Sequence, residues 1–115
     1  MTSSSAQLDE LLANPTRLSI MAVLAAADWA EFAFVRDTVE ASDSALSKQI
    51  STLSANAYIE VRKGYVGRRP RTWLNITDAG RHALERHVAA LHAIVARAST
   101  TKQRPPTRPP DEPEA

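Results

Sequence analysis

Apolar residues recur along this chain with two different periods, and the change of period organises it. Leu8, Leu11 and Leu12 stand at helical spacing, which predicts a first helix over residues 6–13. Asn14 followed by Pro15 reads as a cap and first-turn pair. A second helix then runs to about Ala27 on Leu18, Met21, Ala22 and Ala25, widened by Ile20, Val23 and Leu24. So broad an apolar surface belongs to a largely buried helix. Residues 28–34 form a connector carrying Trp29, Phe32 and Phe34, expected to plug the core and to add a short strand. Residues 34–40 suit a short helix with Val35 and Val39 on one face. The polar cluster Ala41-Ser42-Asp43-Ser44 supplies a tight turn and an N-cap. Leu46, Ile50 and Leu53 then recur at spacings of four and three, predicting a helix over about residues 43–55. Two short helices joined by so few residues make a helix-turn-helix.

After Asn56 the repeat shortens to two. Ile59 and Val61 alternate with Glu60 and Arg62, and Leu74 and Ile76 alternate with Trp73 and Asn75, as in half-buried strands. Gly64-Tyr65-Val66-Gly67-Arg68-Arg69-Pro70 lies between them, with glycines to allow a turn and a proline at the start of the returning strand. The result is a hairpin with a basic tip. Thr77-Asp78 caps a final helix whose Leu84, Val88, Leu91 and Val95 form a stripe longer than one small domain needs. The fold class is therefore mainly α with a small β-hairpin wing, occupying residues 6–98. Residues 1–5 and the Pro-rich stretch 99–115 are expected to be disordered tails, because they hold too little apolar surface to order themselves.

Composition removes several chemistries. The chain has no cysteine, which excludes disulfides, thiolate nucleophiles and cysteine-bound zinc. Its serine-rich start lacks the basic and apolar features of an export signal, and the apolar run from Ile20 to Ala27 is far too short to span a bilayer. A cytoplasmic protein without membrane association is the expectation. The net charge of +1 conceals an asymmetry. Residues 1–61 carry three basic side chains against eight acidic ones, whereas residues 62–115 carry eleven against five. Arg62, Lys63, Arg68, Arg69 and Arg71 cluster with no acid among them, the pattern expected where a polyanion is gripped.

Taken in order, Asn14-Pro15-Thr16-Arg17-Leu18, Ser44-Ala45-Leu46-Ser47-Lys48-Gln49-Ile50, Tyr58-Ile59, Gly67-Arg68-Arg69-Pro70-Arg71-Thr72 and Ile76-Thr77-Asp78-Ala79-Gly80-Arg81 resemble the winged helix-turn-helix repressors of the MarR and ArsR superfamily. The likeness is to the short, single-domain members and covers about residues 8–95. It implies a homodimer that binds double-stranded DNA, commonly as a repressor and often released by a small-molecule effector. The wing here lacks the acidic residues that flank the arginine in the longer MarR-type chains, which puts the usual effector pocket in question.

The residues themselves point the same way. A helix enters the major groove when one face packs inward and the opposite face offers small or hydrogen-bonding side chains to base edges. Leu46, Ile50 and Leu53 supply the inward face, and Ser44, Ala45, Ser47, Lys48 and Ser51 the outward one. Arg68, Arg69 and Arg71 are expected to enter a minor groove or clasp phosphates, with Arg62 and Lys63 on the DNA backbone. Two such modules on a palindrome would sit about one helical turn, roughly 34 Å, apart. Leu8, Leu11, Leu12, Leu84, Val88, Leu91 and Val95 are the expected dimer contact.

Three other readings are open to the same residues. An enzyme has little to work with, since His82, His87 and His92 are five apart on one helix and point away from one another, and no phosphate-binding glycine loop exists. No cofactor is expected. A metal sensor of the ArsR type would use Asp78, His82, Glu85 and His92 along one side of the last helix, completed by the partner chain. A protein-interaction module would use the same winged surfaces without sequence preference for DNA.

Overall fold

The computed structural model describes residues 7–101. In chain order the elements are α1 (Pro15–Ala25), β1 (Ala30–Glu31), α2 (Phe32–Val39), α3 (Asp43–Ala55), β2 (Ile59–Val66), β3 (Arg69–Ile76) and α4 (Asp78–Thr101). The strands make one antiparallel sheet in the order β1-β3-β2. Ile20, Met21 and Leu24 of α1, Val35 of α2, Leu46 and Leu53 of α3, and Ile59, Leu74 and Ile76 of the hairpin form a single core. The architecture is the expected one, mainly helical with a hairpin wing.

Each helix starts where its chemistry demands. Asn14 is extended, and its side chain accepts the Arg17 N–H, while Pro15 occupies the first helical position where a missing N–H costs nothing. Ser42 does the same for α3 by accepting the Ala45 N–H at 3.1 Å, and Asp43 adds a negative charge at the positive helix end. Glu40 closes α2 in the left-handed region, with φ 58°.

Four expectations need correction. Residues 7–13 do not form a helix: they make a single turn, in which the Leu12 and Ala13 N–H groups both bond the Asp9 carbonyl. The Asp9 carboxylate takes the Leu11 N–H at 2.8 Å, and extended Asn14 before a proline prevents any helix from running through. The aromatic connector does not plug the core as a unit, because α2 already begins at Phe32 and turns Phe34 outward to 55% exposure. Only Phe32 packs on the core. The hairpin strands also run further than expected, and the turn shrinks to Gly67-Arg68. Gly67 has φ 65° and Arg68 does not share the positive sign, the pattern of a type II′ turn that keeps the strands in twist. Lastly, α4 continues through Thr101, past the expected start of the tail at residue 99. The remaining tail residues, 102–115, and residues 1–5 lie outside the described ones.

The junction between the hairpin and α4 explains the Thr-Asp-Ala-Gly signature. Thr77 donates its N–H to the Tyr58 carbonyl at 3.0 Å and its hydroxyl to the Ala57 carbonyl at 2.7 Å. The same hydroxyl accepts the Gly80 N–H at 2.9 Å, so one threonine ties the base of the wing to the first turn of α4. Gly80 lies against the Tyr58 carbonyl, where a Cβ would collide with its oxygen.

Tyr58 also holds the N-terminal arm. Its hydroxyl donates to Asp9 Oδ2 at 2.5 Å, while the Asp9 N–H donates to His87 Nδ1 at 3.0 Å. Partial burial first, and the Asp9 carboxylate second, push the Tyr58 phenol up to about 12. A raised phenol favours the neutral form in the folded state, so its contribution is complete below about pH 10 and is lost as pH climbs toward 12. Unfolding titrations between pH 9 and 11.5 are therefore expected to show a steeper alkaline loss of stability for the native chain than for Tyr58→Phe. Parallel curves would contradict the assignment.

Candidate nucleic-acid interface

α3 and the wing form one continuous exposed region, and the sequence explains how each is aimed. Leu46, Ile50 and Leu53 are buried, which turns Ser44, Ala45, Ser47, Lys48 and Ser51 to the outside, all of them exposed. Among the described residues no intramolecular hydrogen bond engages the side chains of those serines or of Lys48, so their donors and acceptors face water. The turn that presents α3 is pinned by Arg36, whose guanidinium meets Asp37 and Asp43 at 2.9 Å each. Those hydrogen bonds, Asp37 first, raise the Arg36 guanidinium above its ordinary value.

Strand alternation sorts the basic residues of the wing onto two faces. Lys63 pairs with Thr72 and continues the face of Ile59, Val61 and Leu74, toward α3. These two, with Val61, line a groove against Ser47, Ser51 and Ser54 of the helix. An adjoining groove runs past Asp43, Ser47, Pro70, Arg71 and Thr72, so Ser47 and Thr72 border both. Arg68 sits in the turn and Arg69 opens β3, and both are exposed. Arg71 stands further back, leaning to Glu31 of β1 at 3.7 Å. Arg62 lies on the opposite face of the ribbon, paired with Trp73, its guanidinium 4.2 Å from the Trp29 ring centre. Arg69, opposite Val66, and Arg71, opposite Gly64, stand on that same face by register, so Lys63 is the basic strand residue turned toward α3. Thr72 was missed by sequence reasoning, although the two-residue alternation that places Lys63 also places it.

The sum is a helix-turn-helix with an arginine-tipped ribbon at its side. The family model described as a winged helix DNA-binding domain matches residues 16–95. The chain belongs to the winged helix DNA-binding domain family. Its fold is that of the MarR-type regulators its sequence resembles. A transcriptional regulator homologue from Pyrococcus horikoshii is 29% identical and superimposes with a TM-score of 0.73, over 78% of this chain and 89% of that one. The Mycobacterium tuberculosis regulator MosR, solved in complex with DNA, shares the fold alone: 18% identity and a TM-score of 0.62, over 81% and 69% of the two chains. An uncharacterized protein of Methanocaldococcus jannaschii is 25% identical over 72 residues, 63% of this chain and 78% of its own.

In this winged helix the predicted dimer residues divide into three groups. Leu12 is wholly buried in the chain's own core and is unavailable to a partner, a correction that follows from the turn at residues 9–13. Leu11 and Leu84 are half-buried against that core. Leu8, Val88, Leu91 and Val95 are exposed, and Ile94, which the sequence reading missed, joins them. The inward face of α4 consists instead of Ala83, His87 and Ala90, spaced four and three. His87 accepts the Asp9 N–H and is 2% exposed, while His82 and His92 are exposed. Among the described residues, no three histidines and carboxylates gather where they would hold a metal ion, and no helix is long and apolar enough to cross a membrane.

Proposed function

We propose that this winged helix is a sequence-specific double-stranded DNA-binding regulator, a homodimer that acts as a repressor on a palindromic operator. α3 lies in the major groove, with Ser44, Ala45, Ser47, Lys48 and Ser51 at base edges and phosphates. Lys63, Arg68, Arg69 and Arg71 carry the wing onto a minor groove or phosphates. Arg62, stacked on Trp29, acts at most at the margin of the contact. The observation that carries the reading is the shared groove in which Ser47 and Ser51 of α3 face Lys63 and Thr72 of the wing. Such a surface allows one duplex to be met by both elements at once. It favours DNA over a protein partner because, among the described residues, its basic side chains have no ion-pair partner apart from Arg71 beside Glu31.

Selection of bound duplexes from a random pool tests this. One sequence family with two inverted half-sites is expected. On the selected duplex, Ser47→Ala is expected to change discrimination by about 1 kcal/mol, roughly fivefold, at one position of each half-site, while changing nonspecific binding little. Binding without preference would instead support a protein-interaction module.

A further inference from the structure

Arg17 is placed against the grain of its helix. It occupies the first turn of α1, where the helix dipole disfavours a cation, and among the described residues no carboxylate lies within ion-pair distance of it. Its backbone N–H is already committed to the Asn14 cap at 3.0 Å, which holds the Cα in place. The side chain then bridges two other segments. Nε donates to the Leu11 carbonyl at 2.6 Å, and a terminal guanidinium nitrogen donates to Gln49 Oε1 at 2.8 Å. Gln49 belongs to α3 and flanks the buried row of Leu46, Ile50 and Leu53. A single rigid fork thus joins the N-terminal arm, α1 and α3.

We infer that Arg17 is a positioning residue for DNA recognition: it fixes the rotation of α3 about its own axis and links that rotation to the arm that docks on α4. The inference rests on the function proposed above. Apolar packing of Leu46, Ile50 and Leu53 is non-directional and tolerates small rotations, whereas the planar guanidinium, anchored on the Leu11 carbonyl, offers Gln49 a donor of fixed direction. The lever is short but sufficient. With side-chain tips roughly 6 Å from the helix axis, a rotation of about 15° moves them by about 1.5 Å, enough to break a base-edge hydrogen bond. The other end of the fork is held by the Leu11 carbonyl. Leu11 is bonded through its N–H to Asp9, and Asp9 is bonded to His87 on α4 and to Tyr58 at the base of the wing. The inward face of α4, at His87, is therefore connected to the recognition helix through a continuous set of hydrogen bonds. A lysine at position 17 keeps the charge but has no planar fork to satisfy both acceptors.

The test measures binding of the full chain to its selected duplex and to a scrambled one, across salt concentrations. Arg17→Lys is expected to weaken the selected duplex about tenfold and the scrambled one far less, with an unchanged salt slope. Gln49→Ala should reproduce that loss of discrimination, and combining the two should add little. In Arg17→Gln, which removes the charge, a salt slope smaller by about 1 would make Arg17 a phosphate contact and overturn the inference. So would native discrimination in Arg17→Lys, or fully additive effects. If Arg17→Lys fails to fold, Gln49→Ala decides alone, since it removes only the acceptor. Absence of any preference in the unaltered chain would instead overturn the proposed function itself, a result visible before any variant is made.

Discussion

Replacing Leu91 with lysine is expected to yield a folded monomer whose affinity for a palindromic duplex falls by about 100-fold or more. Val88, Leu91, Ile94 and Val95 lie on the open side of α4, together with Leu8 from the arm, and the other described residues leave them exposed. Exposed aliphatic residues in a contiguous row mark a surface that associates, and a twofold axis makes the same row face itself. Leu91 is 37% exposed in the single chain, so a lysine there does not enter the chain's own core. In a dimer, however, two ammonium groups would be placed against each other in apolar surroundings. The loss of affinity follows from linkage: two half-sites bound by a joined pair gain an effective concentration that separate monomers lack. Sedimentation velocity with a parallel binding titration checks both parts. A variant that remains dimeric would move the subunit contact elsewhere.

The second large effect lies far from the DNA. Gly80→Ala is expected to destabilise the fold by about 3 kcal/mol, lowering the melting temperature by roughly 12 °C or more at fixed protein concentration. A Cβ at this position would strike the Tyr58 carbonyl oxygen and come within 2.9 Å of its carbon and 3.0 Å of Met21 Cε. The methionine tip can move, but the carbonyl cannot, because it accepts the Thr77 N–H and anchors the start of α4. Alanine's better helix propensity returns only about 1 kcal/mol. Thermal unfolding of Gly80→Ala beside Gly67→Ala separates crowding from backbone strain, since a Cβ on Gly67 meets open space and only its positive φ opposes substitution.

The course of α3 and the wing was legible because the sequence states them twice. Ser42 and Asp43 mark the start of α3 independently of the Leu46, Ile50 and Leu53 row, and the hairpin shows a two-residue alternation as well as a glycine turn. Elsewhere a single signal misled. Leu8, Leu11 and Leu12 have helical spacing, but Asp9 spends its carboxylate and its N–H on local and distant partners that a helix would not permit. The inward face of α4 is built from two alanines and a histidine, which a search for large apolar residues passes over in favour of the neighbouring, outward stripe. The stacking of Arg62 on Trp29 depends on bringing the connector under the sheet, a through-space relation that no local pattern encodes.

The central claim is that α3 and the wing meet one duplex together. Its most direct test is the salt dependence of binding to the selected duplex for the native chain and for Arg68→Ala combined with Arg69→Ala. Each phosphate neutralised contributes about 0.9 to the slope of log affinity against log salt, so per subunit the slope should drop by roughly 1 to 2 while the preferred sequence at the α3 positions is retained. An unchanged slope and unchanged affinity would mean that the arginine tip does not touch DNA, and the two elements would not act on a common target.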